Sequence, residues 1–215
     1  MTTIGARASL ASRMSRAAIS RNVRVSIAAL LVIGIAAGCS GDPLAEQWNS
    51  GADKGYIAGD GSLTEIPIES RKPAVEFSGE DEHGNTLTNA DFAGNVTVVN
   101  FWYAGCAPCR VEAPDLQSLN EQFADQGVKF LGVNTRDQSA QAIQFAEEFG
   151  ITYPSIMDTP NNRAVQRAFA GSIPLNAVPT TLVIDAEGRV SARILGQLAD
   201  PKILATLITD TLAEQ

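Results

Sequence analysis

The chain has 215 residues, 45% hydrophobic and 19% charged, with 16 Lys and Arg against 24 Asp and Glu and a net charge of −8. That composition suits one ordinary globular domain with appendages. A surface this acidic repels phosphate backbones, which argues against a nucleic-acid partner.

The N-terminus reads as an address rather than as part of the domain. Residues 1–24 carry Arg7, Arg13, Arg16, Arg21 and Arg24 and no acidic side chain. The apolar run from Val25 to Ala37 spans 13 residues, short of the roughly 20 that a spanning helix wants. A basic start, a short apolar stretch and small residues after it make a secretory signal, with a short uncleaved anchor as the alternative. Ala36-Ala37-Gly38-Cys39 resembles the lipobox of bacterial lipoproteins, with Ala36 where that pattern prefers Leu. Residues 1–38 are then expected to be a removed signal peptide, and Cys39 a lipidated mature N-terminus holding the chain at the extracytoplasmic face of the cell membrane. The mature chain would keep 11 basic and 24 acidic residues, a net −13. Of three cysteines, Cys106 and Cys109 remain as one pair, in a compartment that permits disulfides.

Residues 40–72 show no sustained period and carry Gly51, Gly55, Gly59 and Gly61. Together with Cys39 they read as a tether, on the order of 30 Å across as a flexible coil, in which Ile66 to Ile68 could dock as a short strand. The domain is expected over 73–215. Val75-Glu76-Phe77 alternates, Glu82-His83-Gly84-Asn85 marks a turn and Thr86-Leu87-Thr88 follows, which predicts an N-terminal hairpin. Val96 to Trp102 is a run bounded by turn signals, hence a buried central strand, and Val128 to Val133 reads the same way. The spacing predicts helices from the cysteines onward, over Ser139 to Phe149 and over Asn161 to Phe169. Then come a strand at Thr180 to Ile184, a turn at 185–188, a strand at Arg189 to Leu195, and a helix at Pro201 to Leu212 with Pro in its first turn. The order predicts an α/β sandwich with a mixed central sheet.

Cys106-Ala107-Pro108-Cys109 opens the first helix. A loop this short constrains the unfolded chain little, so the pair suits reversible redox chemistry better than stapling. Zinc would need more ligands, and the one His, His83, falls in a turn. Haem attachment would need His after the second Cys, where Arg110 stands. No metal and no cofactor is expected. Cys109, Glu112, Leu116, Leu119 and Phe123 step by 3 and 4 and share a stripe facing the sheet. Cys106, at the helix start, is expected to be accessible and to attack; Cys109, tucked inward, to resolve. Partial positive charge at the helix start favours a thiolate there. Glu112 on the inward stripe is either a desolvated proton relay to Cys109 or a plain first-turn Glu favoured by the helix dipole. Val178-Pro179-Thr180 is either a cis-Pro turn that leaves the Val178 backbone free to pair with an extended substrate, or a trans Pro marking a strand start. Trp102 is expected near the redox centre, as packing or as a contact to a partner.

The stretches Phe101-Trp102, Cys106 to Pro114 and Val178 to Asp185 together resemble the thioredoxin superfamily. They are most similar to its TlpA/ResA/CcmG branch of membrane-tethered thiol-disulfide oxidoreductases, and the resemblance covers about Pro73 to Gln215. It implies a thioredoxin-like three-layer sandwich with an added N-terminal β-hairpin, Pro179 in the cis form, and Glu112 linked to the protonation of Cys109. It implies exchange with exported protein thiols or disulfides, and a membrane electron donor of the CcdA/DsbD kind. One job it implies is reduction of apocytochrome c before haem attachment; the other is oxidation or repair of disulfides. A peroxide reductase of the related peroxiredoxin kind is a further alternative, although Tyr103 stands where that chemistry uses Thr. Two positions depart from the branch: Gly105 replaces a Trp before the first Cys, and Ala170 to Ala177 is long.

Overall fold

The computed structural model describes residues 62–173 and 177–215. The expected signal peptide, Cys39 and the expected tether as far as residue 61 lie outside the described residues, as do Pro174, Leu175 and Asn176.

Among the described residues eight strands form: β1 Leu63–Glu65, β2 Ser78–Glu80, β3 Thr86–Thr88, β4 Thr97–Trp102, β5 Lys129–Asn134, β6 Ser155–Met157, β7 Thr180–Ile184 and β8 Val190–Leu195. Four α-helices accompany them among the described residues: α1 Ala107–Phe123, α2 Ser139–Phe149, α3 Ala164–Ala168 and α4 Pro201–Leu212. One mixed sheet runs in the order β1-β8-β7-β4-β5-β6, and β2 with β3 makes a separate antiparallel hairpin. The pairs β4–β5 and β5–β6 are parallel; β4–β7, β7–β8 and β1–β8 are antiparallel. The fold is thioredoxin-like.

Every residue of β4 is buried, because the sheet is covered on both faces; this is why the strand reads as a run rather than an alternation. The two-residue period still sorts its side chains. Val98 faces Leu116, Leu119 and Phe123 of α1 and Leu204, Leu207 and Ile208 of α4. Val99 and Phe101 face Val165 of α3, Phe169 and the hairpin-side Phe77 and Leu87. Each such fully buried apolar side chain contributes about 1.5–3 kcal/mol of transfer free energy. Asn100 and Trp102 share the α1 face with Val98, and this parity sets what the redox helix meets.

Several boundaries differ from expectation. The first strand of the hairpin sits at Ser78–Glu80 rather than 75–77, held by pairing with Thr86–Thr88. The helix expected from Asn161 begins at Ala164, where buried Asp158 accepts from the Val165 and Gln166 N–H groups. β6 was not legible in the sequence. Residues 62–72 belong to the folded body, not to the tether: β1 pairs with β8 and Leu195 N–H donates to Ser62 C=O at 2.7 Å, so the docked strand expected at Ile66 to Ile68 forms instead at Leu63–Glu65, with Ile68–Ser70 a 3-10 turn. Arg71 fixes this segment through ion pairs to Asp185 at 3.0 Å and Glu214 at 2.6 Å.

Candidate active site

β4 ends at Trp102, the chain turns through Tyr103 to Gly105, and α1 begins. Cys106 occupies the N-cap, and Cys109 N–H donates to its sulfur at 3.2 Å. Pro108 lies in the first turn, where no backbone donor is needed. Cys106 and Cys109 form a disulfide with Cα atoms 5.3 Å apart.

Exposure does not separate the two sulfurs. Cys106 is 3% exposed and Cys109 2%, so the expectation of an open Cys106 is corrected for the disulfide form. Both belong to a buried cluster with Trp102, Ala113, Ala142 and Phe145, against which Tyr103 and Val178 pack. What distinguishes them is place: Cys106 caps the helix, between exposed Gly105 and exposed Ala107, while Cys109 lies on the inward stripe with Glu112.

Trp102 is buried, with its indole N–H on Ser155 Oγ at 3.2 Å and its ring 4.2 Å from that of Phe145. The structure therefore places it in the packing behind the disulfide, not on a partner-facing rim; the parity of β4 points it inward.

Glu112 is 1% exposed. One carboxylate oxygen accepts from Asn100 Nδ2 at 2.9 Å and the other from Leu198 N–H at 2.8 Å. Asn100 Nδ2 also donates to Thr181 Oγ1 at 3.0 Å. Burial pushes the Glu112 carboxyl up from 4.5 to about 7; the two hydrogen bonds pull it down, and the nearby Asp115 charge adds to the rise. Tyr153 is pushed up as well, by burial first and then by the Glu112 charge. Asn100, Thr181 and Leu198 were missed in the sequence. The available signal was Asn100, one amide in an otherwise apolar central strand on the parity that faces α1; a buried amide there asks for a polar partner.

The Val178–Pro179 peptide bond is cis. Val178 packs on the cysteine cluster, and among the described residues neither its N–H nor its C=O has a hydrogen-bond partner. Pro179 C=O accepts from Gly196 N–H at 2.9 Å. The structure thus brings Cys106, Cys109 and Val178 together, with Glu112 one turn along the helix. Among the described residues no group of three or more His, Cys, Asp or Glu side chains could hold a metal ion, and no helix is long and apolar enough to cross a membrane.

Residues 71–193 match the model of the AhpC/TSA family. The chain belongs to that family. Among its relatives, "Thiol-disulfide oxidoreductase ResA" of Bacillus subtilis is 29% identical over 136 residues, covering 63% of this chain and 73% of that protein. "Thiol:disulfide interchange protein HelX" of Rhodobacter capsulatus is 38% identical over 119 residues, covering 54% and 62%. Of solved structures, a DsbF homologue from Corynebacterium diphtheriae is 31% identical with a TM-score of 0.65, covering 74% of this chain and 98% of that one. A secreted thiol-disulfide isomerase from Corynebacterium glutamicum is 28% identical with a TM-score of 0.66, covering 74% and 97%. With a closed pair of cysteines at a helix start and relatives of this kind, the chain is a thiol-disulfide oxidoreductase.

Proposed function

We propose that the chain works outside the cell membrane, anchored through a lipidated Cys39, and exchanges the Cys106–Cys109 disulfide with exported proteins. In this reading the reductive client is an apocytochrome c whose two haem-binding cysteines have become oxidised. The observation that carries the exchange chemistry is Glu112. A carboxyl with no access to water, and a pKa near the working pH, sits one turn from the inner sulfur.

The steps balance as follows. In the reduced protein, the Cys106 thiolate attacks one sulfur of a client disulfide, and the other client sulfur leaves as a thiolate and takes a proton. The Cys109 thiol gives its proton to Glu112. The Cys109 thiolate then attacks the Cys106 sulfur and releases the second client thiolate. Two electrons pass to the client, and Cys106–Cys109 closes. Val178 offers unpaired backbone groups to an extended client strand beside the sulfurs. A membrane donor of the CcdA/DsbD kind would reopen the pair.

Support for an exported client comes from the leader and the Cys39 motif, and from a neighbour described as secreted. That neighbour's description as an isomerase favours a second reading, oxidation or repair of client disulfides, with the same residues run in the other direction. Cys109→Ala in cells tests the assignment: mixed disulfides with client proteins should accumulate through Cys106, and a client pool lacking cytochromes would favour the second reading. No trapped client under any growth condition would refute both.

A further inference from the structure

We propose that Tyr103 and Arg136 form a recognition platform beside the sulfur pair that selects client segments carrying a carboxylate next to their reactive cysteines. The proposal rests on the exchange reading above and adds a client chemistry to it. The Arg136 guanidinium carbon lies 4.1 Å from the Tyr103 ring centroid. The ring in turn lies back over Gly105: a Cβ at position 105 would sit 3.6 Å from Tyr103 Cε2. At that distance a side chain at 105 would pack on the Tyr103 ring; glycine leaves that edge of the ring uncovered. Gly105, Tyr103 and Arg136 therefore stack directly before Cys106, whose N–H donates to Tyr103 C=O at 3.1 Å.

The two loops that carry the stack are locked together. Ala104 N–H donates to the Asp137 carboxylate, which also accepts from Asn134 Nδ2 at 2.8 Å. Asn134 Oδ1 accepts from the Arg136 and Asp137 N–H groups at 3.1 and 2.8 Å. Arg136 itself is exposed, and among the described residues its guanidinium makes no hydrogen bond or ion pair. The other charges around the sulfurs are engaged: Arg110 pairs with Glu148 and stacks on Phe149, Asp137 holds the loop, and Glu112 is buried. A cation held over an aromatic face has little side-chain entropy left to lose when its free donors meet a partner. On a chain of net charge −8, this is an unpaired positive group at the exchange surface, and its natural counterpart is a carboxylate.

The test uses the reduced full chain and three synthetic peptides that share one Cys-x-x-Cys disulfide and differ only in two flanking residues: Glu, Gln or Lys. Salt is held near 0.1 M, where charges farther than about 10 Å are screened. Each protein's rate on the Glu peptide is divided by its own rate on the Gln peptide, so that a general change in activity cancels. The expected ratio is about two- to fivefold above one for the wild type, the range of one exposed ion pair. In Arg136→Glu the ratio should fall below one, with the Lys peptide becoming the fastest. Tyr103→Leu keeps the charge but removes the flat support, and should bring the ratio towards one; Tyr103→Phe should restore it. An unchanged ratio in Arg136→Glu, or a wild-type ratio in Tyr103→Leu, overturns the platform while leaving the exchange reading standing. Failure of the wild type to reduce any of the peptides sinks the exchange reading and the platform with it.

Discussion

Glu112→Gln separates a tuned carboxyl from an ordinary one. The folded-state pKa of about 7 stands above the usual 4.5. The neutral form of Glu112 is therefore fully compatible with the fold below pH 4.5, and stability is lost as pH rises through about 7. At about 1.4 kcal/mol per pH unit, that rise withdraws roughly 3 kcal/mol from the wild type by pH 8. The substitution removes the titration and leaves shape nearly unchanged. The new amide can keep one oxygen on Leu198 N–H and turn its NH2 to Asn100, whose own amide can rotate to accept. The residual cost of that rearrangement is about 1 kcal/mol, and it is independent of pH. Urea unfolding of the oxidised full chain at pH 4.5, 6, 7 and 8 measures the difference between the two proteins. It should move by about 3 kcal/mol in favour of the variant from the lowest to the highest pH. The exchange rate gives a second readout: its inflection near pH 7 should disappear. Parallel stability curves, with the difference constant to within about 1 kcal/mol, would refute the claim that burial controls this group.

Two further outcomes follow from structure and sequence. Arg71→Met removes the cation that ties the segment before the hairpin to Asp185 and Glu214, all three side chains being at least nine-tenths buried; unfolding should cost about 3 kcal/mol less, softened where Arg189 still pairs with Asp185 at 2.8 Å. Cys39→Ser in the exporting cell should move the chain from the membrane fraction to the soluble extracytoplasmic fraction, and continued membrane association would point to an uncleaved leader instead.

The long elements were legible because their periods are unambiguous. Ser139–Phe149 and Pro201–Leu212 stand at their expected residues, the first ended by Gly150 at a left-handed φ of 67° and the second begun by Asp200, whose side chain caps Lys202 N–H. Of the three-residue strands, β3 at Thr86–Thr88 was read from the turn before it, but β1 and β6 were not placed, since so few positions carry no period and their registers are set by β8 and β5. At the site, the sulfur pair and Glu112 could be read because they share one helix. The partners of Glu112 could not, because Leu198 lies 86 residues away in sequence and contributes only its backbone. The stack of Arg136 on Tyr103 is hidden for the same reason, being a meeting of two loops 33 residues apart, locked by Ala104 and Asp137.

Burial of both sulfurs changes where the asymmetry of the pair must come from. If solvent access set the order of attack, the closed form would offer no preference, since Cys106 and Cys109 are equally covered. In the proposed exchange the preference comes instead from what surrounds each sulfur. Cys106 has the helix start and the Cys109 N–H, which stabilise a thiolate without a base. Cys109 lies one turn further along the helix, and in the proposed exchange its thiol must pass a proton to an acceptor that is itself half neutral at working pH. A carboxylate at its usual pKa would be too weak a base, and an exposed one would pass protons to water. In the proposed exchange that role falls to Glu112, which is buried and hydrogen-bonded to Asn100 and Leu198. The parity of β4 is what makes this possible: shifting that strand by one residue would turn Asn100 to the opposite core and leave the Glu112 carboxyl facing Val99 or Phe101.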